Sequence, residues 1–369
     1  MKLTLFFSKN ISLQYWQESG MFDREVAIYK KHAAKGITPH FITYDRRTSK
    51  SITSKILLAH IHNNRWRLPK YIYYTLLPVL HRKHLKKTSI IKTNQISGSL
   101  PALQASKLYR KPLIARCGYI LSEFMGQKYG KNARRTKRAL ALEQKLFSQA
   151  DAIIVTTETM KQSITARIPC AKHKITIIPN YVDTELFKPE PTEKEFDLIF
   201  IGRFSEQKNL EALLTAIDKV NCTALIIGNG SNKKTLQQQH PSPNIHWKNN
   251  VSNSDLPRWL NSSKIFILPS HYEGHPKVLV EAMACGCAII GTNVPGIREV
   301  ITGNINGILS KEDPESLSYA IIKLLGNQNL RQKLSQNARA FALQHYSVDS
   351  LADIEYNIIK KAVKKPHVS

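Results

Sequence analysis

LPSHYEGHPKVLVEAMACGCAIIGTNVPGIREVI, residues 268–301, leaves an apolar run, crosses a polar loop, enters a helical pattern and closes on a second β-rich run. The run KIFILPS ends near Pro269, and the loop after it carries Glu273 and Gly274. Pro276 suits the first helical position, the helix reaches about Cys285, and CAIIGT follows as the next strand. Strand, helix and strand in so short a span predict a parallel sheet with crossover helices. A helix N-terminus presents free N–H groups and the positive end of a dipole. The backbone of Gly274, His275, Pro276, Lys277, Val278 and Leu279 is therefore expected to form an anion site. Glu281 follows Glu273 by eight residues. Two carboxylates beside such an end suit the hydroxyls of a sugar and a ribose better than phosphate. The alternative is an acidic turn that stabilises its own helix.

Outward from this stretch the same alternation continues in both directions. Towards the C-terminus of the chain it gives helices from Glu315 to His345 and a last helical stretch, SLADIEYNIIKKAVKK. Upstream it gives FDLIFIG, an amphipathic helix from Asn209 to Lys219, and TALIIGNG. KPEPTEKE, residues 188–195, interrupts the pattern and is read as the boundary of a domain. Before it, strands are expected near 2–7, 37–43, 88–92, 112–116, 152–156 and 175–178, with helices at 22–35 and 131–149. With 369 residues and 42% apolar side chains, the chain is expected to form two doubly wound α/β domains, 1–190 and 191–345. The stretch 346–369 is expected to pack back on the first domain. Ligands of such sheets bind at the carboxyl ends of the strands, in a cleft between the domains.

Charge is uneven. Residues 1–190 carry 34 Lys and Arg against 11 Asp and Glu, whereas residues 191–369 carry 20 against 16. From Arg46 to Ser122 there are 16 cations and no carboxylate. RWRLPKYIYY and HRKHLKK interleave rings with bases there, and such a surface attracts polyanions. An anionic membrane face is preferred over nucleic acid, with Trp66, Tyr71, Tyr73 and Tyr74 expected at headgroup depth. A solvated basic face without a partner is the plain alternative. The longest apolar candidate, YIYYTLLPVL, is too short to span a bilayer, and MKLTLFF reads as a buried first strand rather than a leader. Cys117, Cys170, Cys222, Cys285 and Cys287 form neither a disulfide framework nor a zinc set, which points to the reducing cytosol. His60, His62, His81 and His84 lie in the basic stretch without cysteine partners, so no metal is assigned to them.

The spacing of Glu273 and Glu281, with the flanking EG-P and EAMACG elements, resembles the E-x7-E motif of the family 4 retaining glycosyltransferases of the GT-B fold. That resemblance implies that Glu273 contacts the donor sugar and Glu281 the ribose. IGRFSEQKNLEALLTAI, residues 201–217, resembles the family segment whose basic pair, here Arg203 and Lys208, neutralises the departing diphosphate. Breaking the anomeric bond leaves negative charge on the nucleotide, so the chemistry requires cations there; two surface cations beside a helix start are the alternative. The resemblance extends to IIPNYVDTELFKP, the approach to the second domain, and to LIIGNGSNKKTL. It places Gly202, Gly228 and Gly230 near the nucleotide, and Asn249 on the base-side loop, where a glycine is usual. WQESGMFDREVAIYKKHAAKG and NQISGSLPALQASKLYRKPLIARCGYILSEF resemble a branch acting on cell-surface polysaccharides, with Gly20 allowing close approach to donor phosphates or acceptor. Relatives carry a histidine after the strand that here reads PLIARCGY; Arg116, Cys117 and Tyr119 stand there instead.

The expected reaction is sugar transfer from a UDP- or GDP-sugar to a hydroxyl of a glycan or lipid-linked glycan, at the cytoplasmic face of the membrane. No cofactor and no metal is implied, the nucleotide-sugar being a substrate. A sugar-nucleotide epimerase, and a non-catalytic polyanion-binding protein on a transferase fold, are the competing readings.

Overall fold

A computed structural model describes residues 1–47, 52 and 59–364. Contacts between Cα atoms divide the chain into two compact units, Met1–Pro179 with Leu351–Ser369, and Asn180–Ser350.

The N-terminal unit holds β1 (Lys2–Phe6), β2 (Thr38–Ile42), β3 (His60–His62), β4 (Ile90–Thr93), β5 (Leu113–Cys117), β6 (Ala152–Val155) and β7 (Ile175–Ile177). They form a parallel sheet in the order β3-β2-β1-β4-β5-β6-β7. Leu3, Leu5, Phe41, Ile90, Ile114 and Ile153 are buried, as strands covered on both faces require. From Leu351 onward the helix Val348–Lys364 belongs to this unit, where it buries Leu351, Ala352 and Ile359. Its Glu355 pairs with Lys92 of β4 and lies 3.1 Å from His32 Nε2, all three side chains being buried. Burial alone would raise the Glu355 carboxyl, but Lys92 and His32 together hold it well below the usual carboxylate range.

The second unit holds β8 (Phe196–Ile201), β9 (Ala224–Ile227), β10 (Ile245–Lys248), β11 (Ser263–Leu268), β12 (Ala288–Thr292) and β13 (Ile308–Ser310). Their parallel order is β10-β9-β8-β11-β12-β13. The strand order reverses between β8 and β11, so the loops leaving these two neighbours diverge at their carboxyl ends and open a crevice. The helix Leu210–Val220 buries Leu210, Leu213, Leu214 and Ile217 against this sheet's core, each worth about 1.5–3 kcal/mol.

The division falls at Asn180, not at residue 191. The 180–195 segment is bound to the second unit: Asn180 Nδ2 donates to His275 O at 2.6 Å, and Val182 N donates to Tyr346 O at 2.8 Å. Asn261 Nδ2 donates to Lys188 O at 2.9 Å and Asn261 Oδ1 accepts from Glu190 N at 3.0 Å, so the proline-rich stretch is clamped rather than free. The second crossing lies at Leu351, because Val348 N bonds Val182 O at 3.0 Å.

Tyr73 is also placed differently from the expectation. It is buried, with its hydroxyl 2.8 Å from His81 Nε2. On the helix Lys70–Leu80 the exposed stripe is instead Tyr71, Ile72, Leu76 and Val79. Among the described residues no helix is long and apolar enough to cross a membrane.

Candidate active site

The loop after β8 carries Gly202, Arg203 and Lys208. It is bonded to the turn after β9, with Gly202 N donating to Ile227 O at 3.0 Å and Phe204 N to Asn229 O at 2.9 Å. This contact demands glycine. Gly228 has φ +153°, and a Cβ there would stand 1.9 Å from Gly202 O; at Gly230 it would stand 2.1 Å from Phe204 O. Gly228→Ala is therefore expected to displace the Arg203 loop and destabilise the second unit by about 1–3 kcal/mol. Gly303→Ala, whose Cβ would meet only Leu309 Cδ1 at 3.8 Å, serves as the control in calorimetry.

The loop after β11 crosses to meet this one. Lys208 Nζ is bonded to Glu273 Oε1, and Ser270 Oγ donates to the same oxygen at 2.7 Å. Gln207 Nε2 donates to Tyr272 O at 2.8 Å, and His271 N to Gln207 O at 2.9 Å, so main chain and side chains both lock the two loops. Thr292 Oγ1 in turn holds Ser270 O at 2.5 Å. Glu273 lies three residues before the N-cap Pro276, outside the first turn of the helix Lys277–Ala284, and that helix has no side-chain cap bond, so Glu273 is no cap for it. A Cβ on Gly296 would meet Gly274 O at 2.0 Å, which fixes the loop from below.

The first bond inside that helix runs from Val280 N to Pro276 O at 3.5 Å, so the N–H groups of Lys277, Val278 and Leu279 precede its ladder. His275 cannot lend its ring to an anion. The imidazole is buried against Tyr346 at 5.0 Å between centroids, and burial, with Lys277 nearby, pushes its pKa down to about 3. Glu281 is 1% exposed and accepts from Asn253 Nδ2 at 3.1 Å. Asn249 is exposed and accepts from Lys233 Nζ at 2.7 Å. Arg203 is exposed.

Lys208 and Glu273 thus meet directly, while Arg203, Gly228, Gly230 and the helix start lie on loops at the same carboxyl edge. Gly20 lies in the N-terminal unit, at φ +71° in the turn between helices Leu13–Glu18 and Phe22–Ala34. Its glycine requirement comes from that left-handed turn. Arg116 is the penultimate residue of β5, where its N–H donates to Thr93 Oγ1 at 3.0 Å. Sequence reasoning missed Ser270, whose only signal was its place three residues before Glu273, and Asn253, which stands 28 residues from Glu281 and carried none. Burial pushes Cys117 and Cys285 above the usual thiol range and Cys287 up to about 12, so these thiols stay protonated.

The family model for glycosyltransferase family 4 matches residues 26–186, and that for glycosyl transferases group 1 matches residues 182–341. The chain belongs to glycosyltransferase family 4. An uncharacterized glycosyltransferase of Methanocaldococcus jannaschii is 29% identical to this family member over 205 residues, 53% of this chain and 55% of that protein. The chain thus spans little more than half the length of that relative. The capsular polysaccharide biosynthesis glycosyltransferase CapM of Staphylococcus aureus is 24% identical, over 83% of this chain and 85% of its own. Among solved structures, Anabaena HepE in complex with UDP and glucose superposes with a TM-score of 0.79 at 18% identity, covering 98% of this chain and 100% of that one. That likeness establishes the GT-B architecture of two Rossmann-like domains for this chain.

Proposed function

We propose that the protein transfers a sugar from a UDP- or GDP-sugar to a hydroxyl of a glycan or lipid-linked glycan, with retention at the anomeric carbon, in cell-surface polysaccharide assembly. The observation that carries this reading is the meeting of Lys208 and Glu273 from the loops after β8 and β11, just before the N-terminus of Lys277–Ala284. Lys208 and Arg203, with the helix amides, stabilise the departing diphosphate. As the diphosphate takes Lys208, Glu273 turns to the sugar hydroxyls, and Ser270 keeps its carboxylate oriented. Glu281 is assigned to the ribose, which it reaches by exchanging Asn253 for the ribose hydroxyls. Attack from the face that the leaving group vacates, with the leaving phosphate as base, gives retention without a protein nucleophile. No metal is assigned to this step. HepE, solved with UDP and glucose, and CapM, named for capsular polysaccharide, support the donor and the process.

A thermal-shift screen of UDP, GDP, ADP and their sugars tests the donor. One nucleotide series is expected to raise the Tm of the second unit by several degrees at about 100 times its Kd. No shift with any of them contradicts the reading.

The acceptor is assigned to the cytoplasmic membrane face. Tyr71, Ile72, Leu76 and Val79 form an exposed apolar stripe in the stretch that has 16 cations and no carboxylate. Rings and aliphatic chains enter the headgroup layer while each Lys or Arg contributes about 1 kcal/mol to an anionic leaflet. In liposome flotation the protein is expected to rise with anionic vesicles and not with neutral ones, and Tyr71→Ser/Val79→Ser is expected to weaken that capture. Equal flotation with both lipids removes the assignment.

A further inference from the structure

The edge of the N-terminal sheet gathers histidines for which sugar transfer has no use. Strand register sets Thr4 beside His40 and His40 beside His60, so Thr4, His40, His60 and His62 share one face of the sheet. The short helix Arg82–Leu85 brings His84 onto that face, where its ring stacks on His62 at 4.0 Å and on His40 at 4.4 Å between centroids. His40 Nδ1 and His62 Nε2 are 3.1 Å apart. One ring nitrogen of each of His40, His62 and His84 lies within 4.8 Å of the other two, and among the described residues no carboxylate or thiol joins them.

A set of histidines kept only for packing satisfies both nitrogens of each ring. This one does not: His40 is 6% exposed, and its Nε2 is buried without a hydrogen-bond partner. Burial, helped by neighbouring imidazoles, keeps His40 and His62 at about 4 and His84 at about 3, so all three rings are neutral at pH 7, the form that binds a metal. We propose that His40, His62 and His84 bind one divalent transition-metal ion of the zinc class, which staples β2 and β3 to the Arg82–Leu85 helix. An all-imidazole set selects zinc, nickel or copper over magnesium and calcium, whose sites are built from oxygen. Nitrogens around a tetrahedral zinc lie about 3.4 Å apart, inside the 4.8 Å that bounds this group, so side-chain rotation is enough to set them. Thr4 Oγ1, 2.8 Å from His84 Nε2, orients that ring as an outer-shell partner does. A cavity of about 460 Å³ bordered by His62, Asn63, Trp66, His81 and His84 gives an entry path and room for a water as fourth ligand. Lys2 and Arg65 stand nearby and oppose the cation, so micromolar rather than tighter affinity is expected.

The full-length protein, stripped with a chelator and dialysed, is titrated with zinc chloride in a calorimeter. One ion per chain is expected, with a rise in the Tm of the N-terminal unit. His84→Ala and, separately, His62→Gln are expected to lose more than about 100-fold in affinity, beyond the cost of an outer-shell change, whereas His173→Ala, at an exposed site, binds as the parent does. His62→Gln is the conservative variant should His84→Ala not fold. Zinc uptake by both variants equal to the parent's, or no uptake by the parent, overturns the proposal.

Discussion

Lys208→Ala is expected to lower the transfer rate by about 10²–10³-fold, the loss typical of removing one preorganised stabiliser of a developing charge. The ammonium is held in place before any donor arrives, bonded to Glu273 with side-chain exposures of 15% and 9%. Its interaction strengthens as charge builds on the diphosphate, so kcat falls more than KM rises. Arg203→Ala is expected to cost less, because an exposed cation is screened by solvent and salt. The double variant Lys208→Ala/Glu273→Ala separates the roles: if the two side chains act as a unit, its loss falls well short of the product of the single losses. Initial rates measured across donor concentration decide it. A Lys208→Ala enzyme with kcat within about twofold of the parent leaves the cation without a part in the chemistry.

Glu355→Ala carries the largest expected loss of stability, about 3–5 kcal/mol in the N-terminal unit. Removing the carboxylate leaves Lys92 and His32 buried and without their shared partner, at exposures of 1% and 0%. The effect belongs to one unit, so calorimetry should show one transition moving and the other staying. Glu355→Leu/Lys92→Met is expected to recover much of the loss, since an apolar pair of similar volume avoids desolvating two charges. The carboxyl is held below its ordinary range by Lys92 and His32. Its contribution is therefore complete above the unfolded-state value of about 4.3 and fades as the pH falls from there towards the depressed folded-state value. The parent should lose stability in that acid range more steeply than Glu355→Ala. Coincident pH profiles contradict this.

The central strands were legible because FDLIFIG, KIFILPS and CAIIGT are apolar runs of strand length separated by helical periods, and strands buried on both faces leave that trace. β3, β10 and β13 were not, since HIH, IHWK and ILS are three or four residues long at or near sheet edges and need little apolar sequence. At the site, Lys208 and Glu273 were each singled out by the family resemblance of their segments, but their direct bond spans 65 residues and depends on β8 lying beside β11. The pairing of Lys92 with Glu355 spans 263 residues and joins the first sheet to the last helix, which no local pattern encodes. His40 stands 20 or more residues from His60, His62 and His84, so the imidazole group is assembled by strand register together with the helix Arg82–Leu85 that carries His84. Tyr73 read as one of four surface rings because composition does not tell the faces of a short apolar helix apart; packing on Tyr44, at 5.7 Å between ring centroids, turns it inward. The boundary was placed at the proline-rich stretch by composition, whereas Asn180 and Asn261 bind that stretch to the second unit through single side-chain amides.

A crystal structure with a nucleoside diphosphate bound is the sharpest test of how charge is handled here. The diphosphate should lie within hydrogen-bond distance of Lys208 Nζ and of the backbone N–H groups of residues 277–279, with the Glu273 carboxylate released towards the sugar position. A diphosphate seated on other residues, with Lys208 and Glu273 still paired, would contradict it.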